Sequence, residues 1–524
     1  MFGSQFVDAV DRQADLAPDR DVFFNSADEH LTYALLRERS NALAVWLDDP
    51  AHVVAGAPVI LYGHKAPHML VGILACAKSG HPYVPIDTVY PADRVSNIIE
   101  QVGETLVIDT SVGVIDWESL PGGAPRVVRA AELDDIYQRP VTSKQVADLP
   151  GKTPDDTFYL LFTSGSTGAP KGVEVSSECV DGFLEWMDQD YAFPEEGPRV
   201  WFNRAAYSFD LSVSDLVNGP AHGDTCFALE EEAEASLART FEALGKSGMT
   251  DWVSTPSFLD QCLADASFDA NLLPRLRRML FVGETLRPST VREAKRRFPQ
   301  VHVYNGYGPT ESTDFVSLCE ITDDMLVDDK PLPIGYAMPG VKLVVLDPQT
   351  LEPKPTGEAG ELFIVGHTVA KGYWGRPDLT EAAFRSCPPQ VAKGRKSYRT
   401  GDEVTLSPSG LYYFHGRLDL QIKLHGYRIE LGDIESCLCA LPLVQAACVI
   451  PVWRDGQIHH LCACVVAADE ATERGLALTR QIKAQVRDSL PTYMIPRSFK
   501  YLDVMPLNQN GKADRKALAA LIGA

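Results

Sequence analysis

Residues 159–176 read YLLFTSGSTGAPKGVEVS, a run of small hydroxylated and glycine residues that closes on a lysine. Hydroxyls, a backbone that can approach closely at glycine, and one positive charge suit a loop that holds phosphate oxygens. The stretch nevertheless fails the ordinary P-loop pattern. Counted from Gly165, Pro170 stands where a second glycine belongs, and Gly172 where a magnesium-binding Ser or Thr belongs. A kinase or ATPase of the usual kind, releasing ADP, is therefore not the expectation.

Further motifs follow in order: FNRAAYSFDLSVSDL (202–216), LFVGETL (280–286), YNGYGPTES (304–312), YRTGD (398–402), FHGRLDLQIKLHGYRIELGDIE (414–435) and LNQNGKADR (507–515). Singly, each has a plain structural reading. Asp402 after Gly401 suits a turn, Asp210 suits a helix N-cap, and Lys512 in a glycine-containing turn suits a solvated surface. Their number and order carry the weight. Metal chemistry finds less support. Cys437/Cys439 and Cys462/Cys464 have CxC rather than CxxC spacing, inside apolar periodic segments where cysteine acts as a small hydrophobe. His64 and His68 lack a third ligand. Asp488-Ser489-Leu490 has the form of a carrier attachment tripeptide but lacks a carrier-sized bundle around it.

The elements that must position these residues alternate. RSNALAVWL and APHMLVGILACAKSG read as helices, APVILYG and HPYVPID as extended segments, which predicts parallel, helix-covered sheets. TDWVSTPS, RRMLFVGETL and VHVYNGYGP are short apolar runs ending in Gly, Ser, Thr or Pro. Ligand sites of open α/β sheets lie at such carboxyl ends. From about residue 340 the pieces VKLVVLD, GELFIVG and GLYYFHGR predict a β-rich subdomain. The last hundred or so residues read as another α/β unit, with IELGDIESCLCAL and TRQIKAQVRDSL as helices and VQAACVIPVW and HHLCACVVA as strands. The expected fold class is α/β (α+β). A large N-terminal domain (1–418) of helix-covered sheets carries the small β-rich subdomain, and a small mobile C-terminal α/β domain (419–524) follows.

With 524 residues the chain exceeds one core and predicts about three lobes. A net charge of −23 argues against nucleic acid or anionic membrane as the main partner. MLVGILACA is far short of a membrane span, and the N-terminus lacks an apolar signal core, so the expectation is a cytoplasmic protein without membrane insertion. Eleven cysteines, an odd number, fit a reducing compartment.

Taken together, the ordered motifs resemble the adenylate-forming superfamily from LTYALL at residue 31 to the C-terminus, and within it the stand-alone amino acid adenylation enzymes. YSFDLSVSD, STPSF, CLADASF and GRLDLQIKLHGYRIEL are most similar to the branch that activates D-alanine for a carrier protein. The resemblance implies ATP and Mg²⁺ as cofactors, an aminoacyl-AMP intermediate with release of pyrophosphate, and transfer to the phosphopantetheine thiol of a separate carrier protein, since the chain leaves no room for a fused one. By the same resemblance Thr163, Ser164, Ser166, Thr167 and Lys171 steady the β- and γ-phosphates. Gly283 and Glu284 flank adenine, and Asn305, Gly306, Tyr307, Gly308, Pro309 and Thr310 contact adenine and the α-phosphate. Glu311 helps hold Mg²⁺, Asp402 binds the ribose hydroxyls, and Arg417 adds a cation nearby. Lys512 is the expected catalytic residue and Asp419 the hinge.

Asp210 matches the position that pairs with a substrate α-ammonium, which points to an amino acid and away from an acyl-CoA synthetase. Leu211, Ser214, Val253, Leu280, Val282, Gly306, Asp314 and Phe315 align with the side-chain pocket. The D-alanine branch carries cysteine at the position of Val282, threonine at Gly306 and an apolar residue at Asp314. D-alanine or another small amino acid is the expectation. A diamino, hydroxylated or cyclic acid, such as diaminopropionate, serine or proline, is the alternative.

Overall fold

The computed structural model describes residues 2–103, 105–111, 113–120, 125–164, 170–190, 197–454, 457–468, 475–507 and 513–523. Two large sheets dominate the chain up to Tyr373. In the first, six parallel strands run in the order His302–Tyr307, Arg278–Phe281, Asp251–Ser254, Val200–Asn203, Thr225–Ala228 and Asp21–Asn25. Antiparallel strands extend both of its edges. The second sheet centres on Tyr83–Ile86, Val59–Tyr62, Leu106–Asp109 and Arg126–Arg129, again parallel. VILY and LVID are buried at every position, as expected of strands covered on both faces.

The helices Pro67–Lys78 and Leu211–Ala221 are buried almost all round. Even Lys78 is inside, its ammonium donating to Asp11 at 2.5 Å, Ser40 at 3.0 Å and Asn41 at 2.7 Å. The Leu211–Ala221 helix lies against the strands Val200–Asn203, Thr225–Ala228 and Asp251–Ser254, so its N-terminus stands at their carboxyl ends.

The β-rich segment is a four-stranded antiparallel sheet, Lys342–Leu346, Gly360–Val365, Ser397–Leu406 and Tyr412–Arg417. Beyond it come a two-stranded hairpin, Gln421–Leu424 with Tyr427–Glu430, and a three-stranded sheet, Val444–Arg454, Gln457–Ala467 and Ser498–Leu502. Two boundaries differ from the sequence reading. Ile429 and Glu430 belong to the hairpin, so the helix starts at Leu431, and the later helix ends at Val486 before RDSL. The cysteines also divide: Cys462 and Cys464 are buried, but Cys437 is half-buried and Cys439 exposed, because the helix end that carries them reaches the surface. Among the described residues no helix is long and apolar enough to cross a membrane.

Candidate active site

A cavity of about 1300 Å³ opens between the carboxyl ends of the first sheet and the 421–430 hairpin. The phosphate-type stretch is flanked by two antiparallel strands rather than by a strand and a helix: Thr157–Thr163 pairs with Lys171–Ser176, with Thr163 opposite Lys171. That is why the P-loop pattern fails. Ser166 and Thr167 lie outside the described residues, as does Lys512. Thr163 and Ser164 line the cavity. The Thr163 hydroxyl is buried and has no partner among the described residues.

Beside them, Glu311 is wholly buried in a ring of donors. Arg428 donates to both of its oxygens at 3.0 and 2.7 Å, the Tyr373 hydroxyl donates at 2.7 Å, and the Lys171 ammonium stands 3.7 Å away. Burial alone would raise the Glu311 pKa, but Arg428 and Lys171 override it and hold the carboxyl far below the usual range. Burial, with the nearby Arg428, lowers Lys171 to about 8. The Arg428 guanidinium lines the cavity and screens Glu311 and Lys171, neither of which lines it.

The hairpin that brings Arg428 is fixed at two further points. Gly426 N–H donates to Glu284 at 2.7 Å, and the Ser164 hydroxyl donates to the Arg428 carbonyl at 2.8 Å. Gly426 has φ +83°, and an added Cβ would stand 2.6 Å from Thr255 Cγ2, so only glycine fits this approach. Tyr427 stacks on Tyr493 with ring centres 3.7 Å apart and meets Phe209 edge-on.

Asp402 sits at the middle of the cavity, accepting from the Tyr307 hydroxyl and, at 2.9 Å, from Arg417. Arg417 also donates to Asp419, whose carboxylate in turn accepts from Gln421 N–H at 3.0 Å. Asp419 thus spans the end of the four-stranded sheet and the start of the hairpin. Gly283, Glu284 and residues 305–310 line the same wall, with Asn305 donating to the Pro333 carbonyl at 2.7 Å. The 304–315 turn folds back on itself at Gly308, where a Cβ would lie 2.4 Å from the Asp314 carbonyl oxygen.

At the other end, Asp210 occupies the N-cap position of Leu211–Ala221 but makes no capping bond with its side chain. The carboxylate lines the cavity beside the Thr310 hydroxyl, so the plain capping reading does not hold. Burial raises its pKa, against the Thr310 hydrogen bond. Asp314, 2% exposed, also lines the cavity and accepts from the Ser214 hydroxyl. Burial, then the Asp210 charge, push the Asp314 carboxyl well above the carboxylate range.

Of the aligned side-chain positions, Leu211, Val282, Gly306 and Asp314 line the cavity; Ser214, Val253, Leu280 and Phe315 do not. Val253 and Leu280 lie inside their strands rather than beyond the strand ends, and are packed into the core between the sheets. Phe315 is held edge-on by Phe183 and Trp186. Ser214 acts only through Asp314. Sequence reasoning missed Arg428, Lys423 and Tyr373. The available signal was the cluster of Arg417, Lys423 and Arg428 in one short strand-rich stretch, but nothing in its spacing shows that the hairpin folds back 117 residues to Glu311. His64 pairs with Asp87 at 2.9 Å and His68 with the Tyr137 hydroxyl at 3.1 Å.

The AMP-binding enzyme model matches residues 10–374, and the AMP-binding enzyme C-terminal domain model residues 433–512. A D-alanine–D-alanyl carrier protein ligase of Bacillus licheniformis is 40% identical over 98% of this chain and 99% of its own. One from Bacillus anthracis is 37% identical over 99% and 100%. Among solved structures, holo-PA1221, an NRPS protein containing adenylation and PCP domains, superposes with a TM-score of 0.82 at 26% identity, covering 98% of this chain and 84% of that one. IdnL1 gives 0.77 at 25%, covering 95% and 98%. With both family models matched in order and relatives similar over their whole length, the chain belongs to the AMP-binding enzyme family and is an AMP-forming ligase.

Proposed function

We propose that this enzyme activates D-alanine or another small amino acid with ATP and passes it to a carrier-protein thiol. The observation that carries the reading is the polarity of one cavity, with the Arg428 guanidinium at the phosphate-loop end and a half-buried, uncapped carboxylate, Asp210, at the other. An aminoacyl-adenylate has the matching polarity, a phosphate at one end and an α-ammonium at the other. Asp210 pairs with the ammonium and orients the substrate carboxylate toward the α-phosphorus. One carboxylate oxygen attacks that phosphorus, the P–O bond to pyrophosphate breaks, and the acyl-phosphate bond forms. Thr163, Ser164, Ser166 and Thr167 steady the leaving pyrophosphate, joined by Lys171 once Arg428 no longer screens it; Asp402 accepts from the ribose hydroxyls, and residues 305–310 with Gly283 and Glu284 frame the base. Lys512 neutralises the charge shared between carboxylate and α-phosphate. The carrier thiol then attacks the carbonyl and AMP leaves.

Glu311 suits a cation, since it already holds a guanidinium. It would hold Mg²⁺, which when bound offsets the triphosphate charge. Arg428 donates to both Glu311 oxygens in this structure, so a bound Mg²⁺ would compete with that ion pair. Asp419 would act as the hinge between residues 1–418 and 419–524, a reading supported by its contacts with Arg417 and Gln421 on either side. The reaction belongs in the cytoplasm, where ATP and carrier are found. The test is ATP–pyrophosphate exchange driven by small amino acids, followed by loading of a holo-carrier and of free coenzyme A. Exchange with carrier loading is the expected result. Loading of coenzyme A alone would replace the reading with an acyl-CoA synthetase.

A further inference from the structure

The acid end of the cavity holds more carboxyl groups than one α-ammonium can partner. Asp210 and Asp314 both line it, and Asp215 lies buried behind them, pushed up to about 7 by burial. Asp215 is provided for by the side-chain amide of Asn203. Lys423 on the hairpin interacts chiefly with Asp402 and Asp210, and is only the last of the influences on Asp314. Among the described residues neither Asp210 nor Asp314 forms an ion pair, and Asp314 has a single neutral donor, the Ser214 hydroxyl. A substrate α-ammonium satisfies Asp210 and leaves Asp314 facing the cavity.

The surroundings keep this second carboxylate in place. Thr313 and Asp314 have φ of +67° and +61°, a left-handed pair that the packed turn holds and that directs residue 314 inward. The wall at Gly306 is tight: a Cβ there would come within 3.1 Å of Val282 Cγ2 and 3.3 Å of Phe315. An ionised carboxyl as buried as Asp314, in a cavity also lined by Val282 and Leu211, is costly unless a cation meets it.

We propose that Asp314 is a specificity-determining residue and that the substrate is a small diamino acid, whose side-chain ammonium pairs with Asp314 while Asp210 takes the α-ammonium. This rests on the adenylation reading above. The side chain must be short, because Phe315 and Val282 close the pocket behind Gly306.

The test is ATP–pyrophosphate exchange with 2,3-diaminopropionate, 2,4-diaminobutyrate, D-alanine, L-alanine and serine, for the wild type and for Asp314→Asn, which keeps the shape and removes the charge. The wild type should favour a diamino acid over either alanine by at least about tenfold in kcat/KM, and Asp314→Asn should erase or reverse that preference. Calorimetric binding of 2,3-diaminopropionate and D-alanine to the wild type covers the case in which the variant does not fold, and should show the same order. A wild type that favours alanine or serine overturns the proposal, as does a preference unchanged in Asp314→Asn. Exchange with alanine but with no diamino acid defeats this inference alone, whereas exchange with no amino acid defeats the adenylation reading as well.

Discussion

Glu311 and Asp314 lie three residues apart on one turn, both with buried carboxyl groups, and they are driven to opposite charge states. Glu311 is surrounded by Arg428, Lys171 and Tyr373 and is held ionised. Asp314 has Ser214 for a partner and Asp210 for a neighbour, and is driven toward the neutral acid. Burial acts in the same direction on both, so the partners decide the outcome. The cavity thus presents the Arg428 guanidinium at one end and, at the other, two carboxyl groups with no cationic partner in an ion pair among the described residues. A ligand that is anionic at one pole and cationic at the other completes both.

Changes at each pole break this contrast in different ways. The largest expected effect is Asp210→Ala, which removes the partner of the α-ammonium and should lower kcat/KM for amino-acid-dependent exchange by roughly two to three orders of magnitude, measured by steady-state exchange. Glu311→Gln should come next. It leaves Arg428 and Lys171 without their buried counter-charge, so it should cost about 3–5 kcal/mol in denaturant unfolding besides abolishing metal-dependent exchange. Arg428→Ala separates the two half-reactions. Exchange should persist, because Glu311 becomes free for a cation, while carrier loading should fall about tenfold as the hairpin loses its anchor, measured by single-turnover thiol loading.

The turn was legible as a motif in YNGYGPTES and the strand ends as short apolar runs, whereas Asp210 and Asp402 were singled out only through the resemblance of the ordered motifs. The opposite charge states of Glu311 and Asp314 were not legible, because they depend on partners 117 and 100 residues away in the chain. The same limit explains the misplaced pocket wall. Val253 and Leu280 have the right type and fall in the right motifs, but whether a strand residue faces a cavity or a covering helix depends on how far the helix reaches along the sheet. Strands such as VILY and helices such as APHMLVGILACAKSG were legible because burial on all sides leaves a continuous apolar run.

A smaller effect sharpens the contrast through pH. The folded pKa of Asp314 is raised, so the native state holds more protons than the unfolded chain above the ordinary Asp value near 3.8, and this residue's contribution to stability falls as pH rises from about 4. Asp314→Asn should therefore gain stability relative to the wild type between about pH 4 and 7. Glu311 has the opposite sign: its contribution is full above the ordinary Glu value near 4.5 and is lost as pH falls below it. The deficit of Glu311→Gln should shrink on acidification. Chemical unfolding across pH measures both.

The most direct test of the two-pole account is to compare exchange driven by a small amino acid with exchange driven by the same acid lacking its α-amino group, in the wild type and in Asp210→Asn. The account predicts strong exchange with the amino acid and almost none with its deaminated counterpart, with the gap collapsing in Asp210→Asn. Equal exchange with both acids in the wild type would show that Asp210 reads no ammonium and would contradict the account.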